Sequence, residues 1–145
     1  LVAACDIAIA AEDAQFAFSE VRLGLTPATI SPYVIAAIGP RAARRYFLTA
    51  ERFDARRALG LGLVATVVPG ADLLTEASRL ADILCQNGPA AMAEAKRLIA
   101  DVTDRPIDAA LRTETAGRIA RQRASAEGRE GVAAFLEKRK PDWQG

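Results

Sequence analysis

Apolar and polar residues alternate in two different ways along this chain. Over residues 1–69 the apolar positions come in short runs cut by Gly, Pro and acidic residues. Ile7-Ala8-Ile9-Ala10 has the length of a short buried strand, and Glu12-Asp13 is the polar turn after it. Gln15-Phe16-Ala17-Phe18-Ser19 alternates as a half-buried strand does. Glu20 to Pro27 reads as a loop punctuated by Gly24 and Pro27. Ser31 is expected to cap a helix with Pro32 at its first position, running over Tyr33–Ile38 and stopped by Gly39. Pro40 then opens a second helix, Arg41 to Thr49, and Asp54 caps a third, Ala55 to Leu59, ending near Gly60 and Gly62. Leu63–Val68 is rich in β-branched residues and predicts a strand closed by Pro69-Gly70.

Residues 70–145 instead follow the 3.6-residue period. Asp72 is expected to cap a helix with Leu73, Leu74, Ala77, Leu80, Ala81 and Leu84 on one face. Asn87-Gly88-Pro89 breaks it, and a second helix carries Ala91, Ala95, Leu98, Ile99 and Val102. Thr103–Pro106 is another break. A third helix is expected from Ile107 to Ala126 and a fourth from Arg129 to Lys140. The third is weakly amphipathic: its apolar side is mostly Ala, and Arg112, Arg118, Arg121 and Arg123 crowd it. A helix of that kind buries little by itself and suits packing against other chains. The fold class expected is therefore α/β, with a mixed core over 1–69 and a helical oligomerisation region over 70–145.

Composition narrows the chemistry. The 145 residues are 51% hydrophobic and 26% charged, a globular balance. The net charge of +1 argues against a nucleic-acid partner bound through bulk charge. With no His, a Ser-His-Asp triad, a Cys-His pair and a His-ligated metal site are all excluded within the chain. Cys5 and Cys85 form no disulfide framework, and free thiols in a reducing cytoplasm are the expectation. No apolar run approaches the ~20 residues that cross a bilayer, so no membrane partner is expected. The apolar, uncapped start at Leu1 lacks an initiator Met, and the chain is expected to be cut from a longer one.

Three features could carry chemistry. Glu20 follows an aromatic-lined strand and opens a Gly- and Pro-containing loop, a setting where a carboxylate is poorly solvated and suited to proton transfer. A solvated loop carboxylate is the plainer alternative. Residues 41–57 hold six arginines (41, 44, 45, 52, 56 and 57) against Glu51 and Asp54. Arg recognises phosphate in bidentate fashion, but i,i+3 and i,i+4 ion pairs on a solvated face would also explain the cluster. Phe135-Leu136-Glu137-Lys138-Arg139-Lys140 places basic residues where they complement a helix dipole.

The order of four segments resembles one family. Leu1–Ala10 is similar to the helix-to-strand passage after the Gly-rich turn of the crotonase (enoyl-CoA hydratase/isomerase) superfamily. Phe18-Ser19-Glu20-Val21-Arg22-Leu23-Gly24-Leu25-Thr26-Pro27 resembles its catalytic-glutamate loop. Phe47–Ala55 with Leu59–Val64 resembles the helix-turn-helix before the last core strand, and Glu130–Arg139 the C-terminal signature. The resemblance implies the C-terminal part of a crotonase-like ββα spiral core, followed by a helical trimerisation region. It implies an acyl-CoA thioester as substrate, with no metal and no redox cofactor. Glu20 would be the general acid/base. Arg52 would approach the CoA phosphates, and Phe135 and Lys138 the adenine end, often of a neighbouring subunit in a homo-trimer or a hexamer of two trimers.

In hydratases of that family a second glutamate would stand immediately before Leu1, and two upstream backbone N–H groups hold the thioester oxygen. A single-glutamate isomerase and a non-catalytic crotonase-fold module are the alternatives. Pro27-Ala28-Thr29-Ile30-Ser31-Pro32-Tyr33 departs from the Gly-rich run common in hydratases, which implies a reshaped acyl pocket and a branched or substituted enoyl-CoA, such as a methylglutaconyl-type acyl group. Because the oxyanion donors are expected upstream, the 145-residue chain alone should hydrate crotonyl-CoA no faster than background; measurable turnover by the purified chain would contradict that placement.

Overall fold

A short parallel ladder ties the two ends of the first half together. In the computed structural model, which describes residues 1–145, β1 (Ile9–Ala11) pairs in parallel with β4 (Thr66–Val68), Ala10 opposite Val67. A second, antiparallel pairing joins β2 (Gln15–Phe16) to β3 (Phe53–Asp54). All three expected strands are present but shorter than their apolar runs, and β3 was not expected. The β2 ladder stops at Phe16 because its partner stops at Asp54, where the chain turns into a helix. Phe18, two residues further on, is buried without a ladder.

Between the ladders lies α1 (Ser31–Thr49), which is two helical segments joined at Gly39. Gly39 adopts φ 75°, ψ 160°, and Pro40 follows. Proline disfavours helical backbone at the residue before it, and glycine accepts the positive φ that results. The break therefore falls where the Gly-Pro pair predicts. Ser31 departs from expectation: it lies inside the first turn, Ile30 takes the capping position, and the Ser31 hydroxyl donates to the Ala28 carbonyl at 2.9 Å. Asp54 does cap α2 (Ala55–Leu61), its Oδ1 accepting from the Arg57 N–H at 2.7 Å.

The core of this first compact unit, Leu1–Arg79, is built from Val34, Ile38, Ala43 and Tyr46 of α1, Phe53 of β3, Ala55 and Ala58 of α2, and Leu63 and Val64. Aromatic rings dominate its centre. Tyr46 and Phe53 lie 4.3 Å apart between centroids, Phe18 meets Phe47 edge-on at 5.1 Å, and Phe16 stacks on Phe53 at 5.6 Å.

The second compact unit, Leu80–Gly145, is helical. The unit boundary falls inside α3 (Leu73–Cys85), whereas the sequence texture changes near residue 70. Asp72 lies in a short 3-10 turn, Gly70–Asp72, that leads into α3. Then follow α4 (Pro89–Val102), α5 (Ala109–Ala124) and α6 (Ala126–Glu137). Asp108 caps α5, accepting from the Leu111 N–H, so this helix starts two residues after the expected Ile107. Ser125 caps α6 through the Gly128 N–H, so α6 begins at Ala126 and not at Arg129. The α5–α6 corner needs glycine at 128, because a Cβ there would stand 2.1 Å from the Gln122 carbonyl oxygen.

Leu111 and Ala134 are the only buried apolar side chains of this unit, and polar ties carry much of its order. Glu127 accepts from the N–H groups of Ala90 and Ala91 at 2.8 and 2.7 Å, placing a carboxylate at the positive end of α4. Arg118 meets Asp101 at 2.6 Å and Glu114 at 2.7 Å. Arg139 bridges Glu130 and Glu137. Lys138 takes left-handed backbone (φ 54°) at the end of α6, so Lys138, Arg139 and Lys140 lie past the helix and not in its last turn.

Gly128→Ala should destabilise the second unit by about 1–3 kcal/mol, the range for a side chain forced into filled space, as read by urea denaturation followed by circular dichroism. A second expectation concerns acid. Hydrogen bonds from Arg139 hold the Glu130 carboxyl below its ordinary value of 4.5, and those from Arg105 and Arg118 do the same to Glu114. Each group is more easily deprotonated in the fold than in the unfolded chain. Its contribution is therefore present above the ordinary value and disappears as pH falls through the lowered one. Thermal melts should be flat at neutral pH, fall once the pH drops below 4.5, and fall less at high salt.

Candidate active site

The first unit places Glu20 at the start of a single 3-10 turn, Glu20–Leu23, where the sequence suggests a loop. Successive hydrogen bonds build the turn: Arg22 N–H to the Ser19 carbonyl, Gly24 N–H to Val21, and Leu25 N–H to Glu20. Gly24 ends it in left-handed backbone, φ 71°. The turn leaves directly from the aromatic centre, since Phe18 packs on both Phe47 and Phe53. Glu20 is half-buried, and its Oε2 is closed to solvent and has no hydrogen-bond partner. A shielded carboxyl oxygen with no donor inside the fold is an exception among buried polar groups, and it marks Glu20 as the candidate group for proton transfer.

The turn is tied down from outside by one side chain. Arg22 Nη2 donates to the Ala50 carbonyl at 2.8 Å, a contact spanning 28 residues. Sequence reasoning missed this tie. An Arg in a Gly- and Pro-marked loop carries no periodic signal, and its acceptor is a main-chain carbonyl at the far end of α1.

An apolar cavity of about 460 Å³ opens in the same unit. Phe16 and Phe18 form part of its wall, with Val2, Thr29, Ile30 and Tyr33. Three of the residues that depart from the Gly-rich run, Thr29, Ile30 and Tyr33, thus face a cavity of ligand size. Glu20 is not among the lining residues.

The arginine cluster resolves into distinct roles. Arg45 pairs with Glu51 across the end of α1, a spacing of six that i,i+3 or i,i+4 pairing does not describe. The Glu51 carboxyl is held low by this guanidinium. Arg57 Nε donates to the Tyr46 hydroxyl at 3.0 Å. Arg45 and Arg57 line a more polar recess of about 430 Å³ with Gln15, Tyr46, Asp54 and Arg52. Arg52 is exposed there and joins no ion pair. In the second unit Phe135 is 81% exposed at the end of α6 and Lys138 is exposed just beyond it. Cys5 and Cys85 are exposed free thiols. No cluster of three or more His, Cys, Asp or Glu side chains is placed to hold a metal ion, and no helix is long and apolar enough to cross a membrane.

The family model for enoyl-CoA hydratase/isomerase matches residues 1–145. The chain belongs to the enoyl-CoA hydratase/isomerase family. Its fold is that of solved members. An enoyl-CoA hydratase from Shewanella pealeana is 51% identical with a TM-score of 0.93, over 98% of this chain and 53% of that one. The Pseudomonas aeruginosa protein AtuE is 41% identical with a TM-score of 0.91, over 99% and 56%. Among curated relatives, the 2,3-dehydroadipyl-CoA hydratase of Escherichia coli is 33% identical over 143 residues, 97% of this chain and 55% of that protein. The chain thus spans about half the length of the curated relatives it matches. Glu20 stands in the turn that follows β2.

Proposed function

We propose that the protein acts on an acyl-CoA thioester with Glu20 as general acid/base. The observation that supports this best is the Glu20 carboxylate itself: half-buried at the edge of an aromatic core, with one oxygen shielded and unpartnered. In hydration across an α,β double bond, a water oxygen adds to the β-carbon and a proton must reach the α-carbon. Glu20 delivers that proton and is reloaded by the proton the water loses as its oxygen bonds to the β-carbon; in the reverse direction it removes the α-proton, which is lyase chemistry. The two carbons gain the elements of water and nothing is oxidised or reduced, so the step is balanced by proton transfer alone, with no metal or redox cofactor needed. The negative charge that develops on the thioester oxygen is met by backbone N–H donors, as in other oxyanion sites.

The cavity walled by Phe16, Phe18, Ile30 and Tyr33 suits the acyl portion, and its altered Thr29–Tyr33 lining favours a branched or substituted chain. Arg52 suits the CoA phosphates, being exposed and free of an ion pair. Phe135 and Lys138 suit the adenine end, an exposed ring beside an exposed cation. Exposed Ile99, Ile119, Phe135 and Leu136 on a unit with little core of its own support assembly into homo-trimers, or hexamers of two trimers, through the helical region over 70–145. Two unpaired thiols agree with a reducing, cytoplasmic setting.

Glu20→Gln in the natural full-length protein preserves size and shape while removing the proton-transfer group. Turnover of an enoyl-CoA should drop about 10²–10⁴-fold with the melting temperature unchanged. Wild-type turnover in the variant would assign the proton to another group, and an inactive wild type would favour a non-catalytic module.

A further inference from the structure

The geometry points to Arg22 as the residue that positions Glu20; this rests on the general acid/base reading of Glu20. The two side chains share one turn, Glu20–Leu23, and that turn is too short to hold itself rigid. No hydrogen bond at Oε2 sets the direction of the Glu20 carboxyl. Tying the turn to a distant element fixes where that carboxyl stands. The Arg22 guanidinium does so, reaching from the turn to the Ala50 carbonyl at 2.8 Å, a hydrogen bond strengthened by the charge of its donor.

The acceptor is prepared for this contact. Ala50 is a non-glycine residue in left-handed backbone, φ 51°, and only 1% exposed. That conformation is unfavourable for alanine and persists where surrounding structure enforces it. Here the enforcement is visible on both sides. The Ala50 N–H donates to the Tyr46 carbonyl, and Thr49 and Glu51 lock the neighbouring residues, Thr49 Oγ1 donating to the Arg45 carbonyl and Glu51 pairing with Arg45. The last carbonyls of α1 also carry the negative end of the helix dipole, which favours a cation there. Arg22 therefore links the short Glu20 turn to a buried, hydrogen-bonded backbone point at the end of α1. It touches no reacting atom in this scheme; it sets where the Glu20 carboxylate stands.

The test is a double-mutant cycle in the natural full-length protein, reading kcat and KM for an enoyl-CoA. Arg22→Ala should lower kcat about 10–100-fold with KM little changed, the size expected when a reacting group is displaced by about 1 Å. Arg22→Lys, which keeps a cationic donor, should recover part of that loss and serves if Arg22→Ala does not fold. In a Glu20→Gln background, either Arg22 variant should cause no further loss in kcat, because residues acting as a unit are not additive. A merely structural role would instead lower kcat equally in both backgrounds, and that result overturns the inference. Wild-type kcat in a folded Arg22→Ala overturns it too, leaving the Glu20 reading intact so long as Glu20→Gln alone is impaired. Full activity of Glu20→Gln would remove both.

Discussion

Phe53 is the residue against which the first unit is arranged. Its ring lies 4.3 Å from Tyr46 of α1, 5.6 Å from Phe16 of β2 and 6.0 Å from Phe18. Ring pairs at these separations contribute beyond the area they bury. One side chain thus joins the strand that leads to Glu20, the helix that ends at Ala50 and the short strand that starts α2. Because Asp54 follows at once and caps α2, the position of the rings and the start of that helix are set together. The Glu20 turn inherits its place from this packing: it leaves β2 just past Phe18 and is tied to the far end of α1 by Arg22.

The second unit is held differently. Few of its side chains are buried, and its corners are defined by hydrogen bonds across helices: Glu127 on the start of α4, Arg118 between α4 and α5, and Trp143 Nε1 on the Gln86 carbonyl at 3.2 Å. Exposed ion pairs stabilise little individually. A unit held this way retains large apolar residues on its surface, Ile107, Phe135 and Leu136 among them, and these are the natural material of an interface.

Much of the fold could be read from local chemistry. Gly39-Pro40 announces the break in α1, Asp54 its neighbour helix, and Asn87-Gly88-Pro89 the gap between α3 and α4, because each acts through its own backbone. Features set by distant partners could not be read this way. β3 is two residues long and has no alternation to detect. The break between the last two helices is legible, but it falls at Ser125 and not at 126–129, because the Ser125 hydroxyl starts α6 early and the Gly128 that permits the corner resembles any surface glycine. Ser31 looked like a cap but its hydroxyl found the Ala28 carbonyl. Glu20 and its poor solvation follow from its motif and the aromatic strand before it, whereas the Arg22 tie depends on a carbonyl 28 residues along the chain.

The proposed chemistry requires Glu20 to move a proton at the α-carbon of a bound thioester. The most direct measurement follows deuterium from heavy water into that carbon of an acyl-CoA by NMR, comparing the natural full-length protein with Glu20→Gln. Exchange should be rapid with the native protein and abolished, or nearly so, in the variant. Exchange at the native rate with glutamine at position 20 would contradict the account.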